Sequence, residues 1–568
     1  MFDLLIRNAL VYDGSGSPPR PGAVAVAGES IAKIYGPADL PDPARETLDA
    51  GGLALMPGII DNHTHYDAQV TWDRTLLPSC SQGVTTVVLG NCGFAIAPCR
   101  PADREFTMRT LTQVEGMSLD ALRQGIRWNF ETFPQYLDAL AAAGSVPNLA
   151  VFIGHSAVRT FVMGADSARR PARPAEIEQM VSLVTEGLRA GAVGFSTSTS
   201  PAHNGEGGLP VPSRLAEDHE LRELVRCLSG VGKGVFMLTK GAQTRLEFLE
   251  ELNRVAGRRP VIVAALLHNR TNPEGVFREL DALQQANVRG GTLSGAISCC
   301  PLTMDFTMAS PYPLEGLQAW QPALGLQGEE YRRTLSDGSF RDRLRSELSQ
   351  PSAFRLFNGE WQEVRIAEAK LPRNAALEQA SIGELAARLG RDPLDLFLDV
   401  ALEEELGTVF TATLLNSDEQ AVARLLRHPA SLVSLSDAGA HLTFFNDAGF
   451  GLHLIGHWAR DRGVLAIEEA VRKLTAEPAE LFGLAGRGRL RAGCAADMVL
   501  FDPARVGRGA RRRVCDLPAG AGRLHTDALG LHGVWVNGRR ILDQKGLAEG
   551  VGPGGALPGK LIREFSPG

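Results

Sequence analysis

His63 and His65 stand one residue apart at the end of an apolar run, Leu53 to Ile60. If that run is a strand, alternate side chains point to one side, and both imidazoles project together from its carboxyl end. Two imidazoles fixed in this way supply half of a transition-metal site. In isolation such a pair is more often two surface histidines, but other polar groups follow similar runs. They are Asn91-Cys92-Gly93, His155-Ser156, Ser196, Thr239-Lys240, His268-Asn269 and Ser436-Asp437. Cys92 alone divides evenly between a small buried apolar thiol and a ligand. His268 ends a strongly apolar run and is either a core histidine or a ligand, with ligation preferred. Asp437 precedes Ala-Gly-Ala, where little bulk would block it, and a carboxylate there can hold an activated water and take its proton. His155 could bind metal, contact substrate or cap a loop, and substrate contact is preferred. Arg159 and Lys240 follow strand ends and could hold a substrate carboxylate, although both could equally be solvated. Imidazole and thiolate suit zinc, which lowers the pKa of a bound water toward ~7. The hydroxide would attack an amide carbonyl, and Asp437 would pass the proton to the leaving amine.

These groups can act together only if the chain brings the runs side by side. Short apolar runs occur at Gly83–Gly90, Leu149–Gly154, Ala192–Ser196, Gly234–Leu238, Val261–Leu267, Thr292–Ser298 and Ser431–Ser436. With the first, they make eight. Segments of helical period follow several of them: Ala175–Ala190, Leu215–Leu228, Leu246–Ala256 and Val276–Ala286. Eight strand-then-helix units predict an α/β fold, a (β/α)8 barrel of the TIM type, with its site at the carboxyl ends of the strands. The runs are continuously apolar, as strands covered on both faces should be. A doubly wound open sheet is the rival, weakened by the lack of a Gly-rich phosphate loop after the first strand. Short strands at both chain ends predict a small β-sandwich built from both termini. The predicted division is 1–56 with 485–568 for that domain and 57–484 for the barrel, interrupted by a long insertion at about 299–430. An excursion of that size near an active face reads as a lid or substrate platform. The Gly/Pro-rich tail after Gly546 is expected to be loose.

Composition narrows the partners. The 568 residues are 44% hydrophobic and 22% charged, with a net charge of −7. A large core is therefore affordable and wholesale disorder is not expected. No basic patch of the nucleic-acid-binding kind is present. No stretch approaches the ~20 continuous apolar residues that span a bilayer. Met-Phe-Asp-Leu-Leu-Ile-Arg does not read as a signal peptide. The eight cysteines are too few for a disulfide framework, so they are expected reduced and the chain cytoplasmic. The expected partner is a small-molecule amide, with neither nucleic acid nor membrane, and a homo-oligomer remains open.

The motifs together resemble those of the metal-dependent amidohydrolases, and within them the D-aminoacylase (N-acyl-D-amino-acid deacylase) family. The matching text includes Asp3-Leu-Leu-Ile-Arg-Asn, Pro57 to Asp67, Gly90-Asn-Cys-Gly93, Gly154 to Arg159 and Ser436 to His441. It ends with Ala495-Ala-Asp-Met-Val-Leu-Phe-Asp502. The resemblance implies a (β/α)8 barrel with a β-domain from both termini, and one or two zinc ions. By position it implies His63, His65, Cys92, His268 and Asp437 as metal ligands, with Asp437 also the base. His155, Arg159, Lys240 and His441 are expected at the substrate. One departure stands out: the family ends its fifth strand with Thr-His, and here the text is Met237-Leu-Thr-Lys-Gly241. The expected reaction is hydrolysis of a linear amide, most directly an N-acyl-D-amino acid. A cyclic or specialised natural-product amide is the alternative. A non-catalytic scaffold ranks last, since such proteins lose the first-strand histidines and the last aspartate.

Overall fold

The computed structural model describes all residues except 242, 351, 353–354, 441–444 and 567–568. Eight strands form one parallel sheet in sequence order: β1 (Ile59–Asp61), β2 (Val84–Leu89), β3 (Asn148–Gly154), β4 (Gly194–Ser198), β5 (Val235–Thr239), β6 (Val261–Ala264), β7 (Leu293–Ile297) and β8 (Ser431–Val433). Their side chains are almost all buried, which explains the lack of alternation in the sequence. The sheet curls, and residues just beyond its two edge strands come together. Thr64, just past β1, bridges Ala438, just past β8, and the His65 amide donates to the Ala438 carbonyl at 2.8 Å. Asn62 adds a side-chain bond to the Val433 carbonyl at 2.9 Å.

The helices that matter for the site are α1 (Arg104–Val114), α2 (His155–Met163), α3 (Pro174–Ala190), α4 (Asp218–Val231), α5 (Leu246–Val255) and α6 (Gly275–Val288). α3 to α6 fall close to the four helical segments read from periodicity. Each turns one apolar stripe to the sheet, such as Leu221, Leu224, Val225 and Leu228 of α4.

The run from Leu53 to Ile60, expected as one strand, is two. Ala54–Pro57 pairs with Met498–Phe501 in a second sheet, and β1 starts the parallel one. The break falls at Pro57-Gly58. A Cβ on Gly58 would lie 2.0 Å from the Thr85 hydroxyl of β2, so only glycine leaves room for the Thr85 side chain.

Strands from both chain ends share that second sheet of nine, in which Phe2–Val11 pairs with Arg20–Ala27 and Met498–Phe501 with Leu531–Val536. Its core holds Ile6, Val24, Val26, Leu55, Met498, Leu500 and Trp535. The tail expected to be loose is docked. The Leu149 amide donates to the Lys560 carbonyl at 2.9 Å, the Ile562 amide to Leu149 at 2.7 Å, and Phe565 is buried. The apolar residues scattered through the Gly/Pro text pack against the main core and fix it.

Between β7 and β8, Leu302–Phe306, Val364–Glu368 and Val409–Leu415 form a three-stranded antiparallel sheet with its own core around Trp320, Phe340, Phe397 and Phe410. An arginine-rich hairpin, Gly507–Val514 with Arg523–Leu529, ties the units together. Arg508 meets Asp447 at 2.5 Å beside the Cys300 sulfur, and Arg511 reaches Asp305 of the insertion at 3.6 Å. No described helix is long and apolar enough to cross a membrane.

Candidate metal centre

His63 and His65 project from the end of β1, with ring centroids 5.3 Å apart. Their position is fixed from below. The Ser436 hydroxyl donates to both oxygens of Asp61, at 2.8 and 2.7 Å, and lies 3.1 Å from the His63 carbonyl. Gly439 lets the loop after β8 lie on the His65 backbone, where a Cβ would come within 2.8 Å.

Two turns carry the other donors. Cys92, just past β2, has φ 57°, and Asp437, past β8, has φ 46°. Left-handed backbone at a residue other than glycine costs of order 1–3 kcal/mol, and such strain gathers at functional sites. The Cys92 sulfur lies 3.5 Å from His63 Nε2 and 3.9 Å from His65 Nε2. Asp437 Oδ1 lies 3.2 Å from His63 Nε2 and 3.6 Å from His65 Nε2. The ligand atoms of His63, His65 and Cys92 all fall within 4.8 Å of one another.

These separations fit a metal. A sulfur at about 2.3 Å and a nitrogen at about 2.0 Å from one tetrahedral ion lie about 3.5 Å apart. The charge balance agrees. Asp61, Asp67, Glu115, Asp437 and Cys92 surround two imidazoles, an acid surplus that a divalent cation would offset. Without a cation, burial pushes Asp61 and Asp67 up to about 7 and raises the Cys92 thiol. Burial opposes a charged His65, but Glu115, Asp437 and Cys92 hold its pKa well above the ordinary value. A bound cation inverts this logic and deprotonates the thiol outright.

The fifth strand contributes no imidazole. Thr239, its last residue, donates its hydroxyl to the Cys92 sulfur at 3.1 Å, and Met237 accepts from the Cys92 amide at 3.4 Å. Lys240 turns to Glu279 of α6, 3.3 Å away. His268 is buried beside Phe277, with its backbone clasped by Asn416 of the insertion and its Nδ1 without a hydrogen bond. It is not one of the mutually close group of His63, His65 and Cys92.

His155 and Arg159 do not reach toward a ligand. Both lie on α2, His155 at its first residue and Arg159 one turn on, both are fully buried, and both pair with Glu220 of α4. His155 Nε2 lies 2.9 Å from Glu220, and its Nδ1 meets the Thr197 hydroxyl at 2.7 Å. The Arg159 guanidinium pairs with both Glu220 oxygens. Substrate contact was the expectation for both; the buried acid on α4 takes them instead. His441 lies outside the described residues. Two residues near the metal centre were not foreseen. Glu115, after α1, faces His65 Nδ1 at 3.1 Å, and Tyr312 of the insertion is close enough for Glu115 and Asp437 to help push its phenol up to about 12, after burial and Glu315.

The chain is similar to known proteins along nearly its whole length. A model of the amidohydrolase family matches residues 46–277 and 361–542, leaving out much of the insertion. D-aminoacylase of Alcaligenes xylosoxydans xylosoxydans is 30% identical over 551 residues, 96% of this chain and 95% of that one. The N-acyl-D-aspartate deacylase of the same organism is 29% identical over 567 residues, 98% of this chain and 96% of that one. A solved D-aminoacylase, studied for the role of its binuclear metal center, is 26% identical with a TM-score of 0.68, covering 99% of this chain and 100% of that one.

Proposed function

The chain belongs to the amidohydrolase family, among the D-aminoacylases, and from that premise we propose that it is a zinc-dependent deacylase of N-acyl-D-amino acids. The observation that carries this reading is the convergence of His63, His65 and Cys92, with Asp437 beside both imidazoles. The reading takes the curled parallel sheet as a closed (β/α)8 barrel, the strands of both termini as a small β-sandwich, and the insertion as the cover of the site.

His63, His65 and Cys92 would hold the ion, with Asp437 as the oxygen ligand and His268 in reserve for a second ion. When bound, zinc supplies Lewis acidity toward the amide carbonyl and hydroxide at neutral pH. The chain supplies the rest. Thr239 donates to the Cys92 sulfur and so favours the thiolate. Asp437 Oδ1 takes the proton of the attacking water and returns it to the amide nitrogen as the carbon–nitrogen bond breaks. The Ser436 hydroxyl, held between Asp61 and the His63 carbonyl, keeps the β1 and β8 loops in register.

The test is to measure metal per chain, strip it with chelator, and assay a panel of N-acyl D- and L-amino acids with hydantoins as competitors. Turnover of an N-acyl-D-amino acid that disappears on stripping and returns with zinc supports the reading. Undiminished turnover in metal-free protein overturns it, and turnover of hydantoins alone moves the substrate to cyclic amides.

A further inference from the structure

We propose that Glu115 is the positioning carboxylate of the metal centre, holding His65 from behind so that Nε2 is presented to the ion. The inference rests on the metal-dependent reading above.

Glu115 lies in the excursion between β2 and β3, just past α1, fifty positions from His65 in the chain. Its side chain is 3% exposed and that of His65 is 5% exposed. Glu115 Oε1 stands 3.1 Å from His65 Nδ1, and neither atom has a hydrogen-bond partner elsewhere among the described residues. The contact lies off the ideal hydrogen-bond direction. The other buried acids beside the site are held differently. Asp61 accepts from the Ser436 hydroxyl, and Asp67 accepts from the Gly90 amide at 3.0 Å. Among the described residues Glu115 Oε1 has only the imidazole. A carboxylate stripped of water without a donor is strongly disfavoured, so its burial here requires the Nδ1–H.

That requirement settles the tautomer. With the proton on Nδ1, the lone pair of His65 is on Nε2, the atom that faces Cys92 and Asp437. Carboxylates behind a ligating histidine fix ring orientation and raise ligand basicity, and their loss costs 10–100-fold in metal affinity. Phe94 packs on the same imidazole, with centroids 6.2 Å apart, which keeps water from the pair.

The experiment measures zinc affinity by competition with a chromophoric chelator, and the absorption spectrum of the cobalt-loaded protein, for wild type, Glu115→Gln and Glu115→Ala. Circular dichroism of the metal-free forms checks the fold. Glu115→Gln preserves size and removes the charge, so it should bind zinc about tenfold more weakly with an unchanged metal-free fold. Glu115→Ala should lose 10–100-fold and shift the cobalt spectrum. If Glu115→Ala does not fold, Glu115→Gln decides. Wild-type affinity in a folded Glu115→Gln overturns the proposal and leaves the hydrolase reading standing. A wild-type chain that binds no metal overturns both.

Discussion

Replacing Asp437 by Asn separates the proton-transfer role proposed for this residue from its proposed contribution to the metal centre. Asn is nearly isosteric, so an acceptor oxygen stays near the positions now 3.2 and 3.6 Å from the two imidazoles. The amide cannot take a proton. General-base catalysis by a positioned side chain contributes about 10²–10⁴-fold, or roughly 3–5 kcal/mol of barrier. Three donors, His63, His65 and Cys92, stay within 4.8 Å of one another, so the ion should be retained. The expected outcome is kcat reduced about a thousandfold with KM little changed and metal content near wild type. The assay is steady-state kinetics on an N-acyl-D-amino acid at saturating zinc, across pH, with metal per chain measured on the same samples. The acid limb of the kcat/KM profile that reports a free-enzyme base should flatten in the variant. The reasoning fails if Asp437→Asn keeps more than a tenth of wild-type kcat. It also fails if activity is lost only in step with metal and returns when zinc is added.

Cys92→Ser should weaken zinc binding. Structural zinc sites bind with roughly 10–16 kcal/mol, about 3 kcal/mol per ligand, so losing the thiolate should cost about a hundredfold in affinity. Cobalt-loaded protein should also lose its thiolate charge-transfer absorption, and a band that persists would remove Cys92 from the shell. Glu220→Gln should destabilise the fold by about 3–5 kcal/mol in denaturant titrations, because it leaves the buried Arg159 charge uncompensated. That gap depends on pH with a definite sign. Burial would raise Glu220, but His155 and Arg159 hold its pKa below the ordinary value. Its contribution is therefore complete above the unfolded carboxylate pKa of about 4.3 and lost as pH falls through the lower folded value. A difference between wild type and Glu220→Gln that stays constant down to pH 3 would refute the assignment.

The parallel sheet was legible because burial on both faces writes each strand as an unbroken apolar run. All eight runs overlap a strand of the sheet, and four helical segments lie within a few residues of α3 to α6. Where the reading failed, one stretch of sequence served two purposes. Leu53 to Ile60 is uniformly apolar because one half is buried in the mixed sheet and the other in the parallel sheet, and composition does not mark the hand-over at Gly58. The hairpin of Gly507–Val514 was invisible for the opposite reason. Its arginines carry no apolar alternation, and its strands are held by ion pairs to Asp447 and Asp305, acids far away in the chain.

The site shows the same division more sharply. That His63, His65, Cys92 and Asp437 converge could be read from the sequence because a strand end fixes where a side chain begins, and short turns give it few directions to take. His155 and Arg159 also begin at a strand end, yet Glu220 on an outer helix claims both. Position alone does not say which partner a charged group will find, and a buried guanidinium must find an acid. Glu115 is the converse case. It has no strand, no motif and no ligand spacing, and its role follows only from being buried with one imidazole nitrogen as its neighbour. The supporting carboxylates of a metal centre are chosen by packing, from whichever excursion folds back over the strand ends. A sequence that shows the candidate ligands can therefore stay silent about the groups that would orient them.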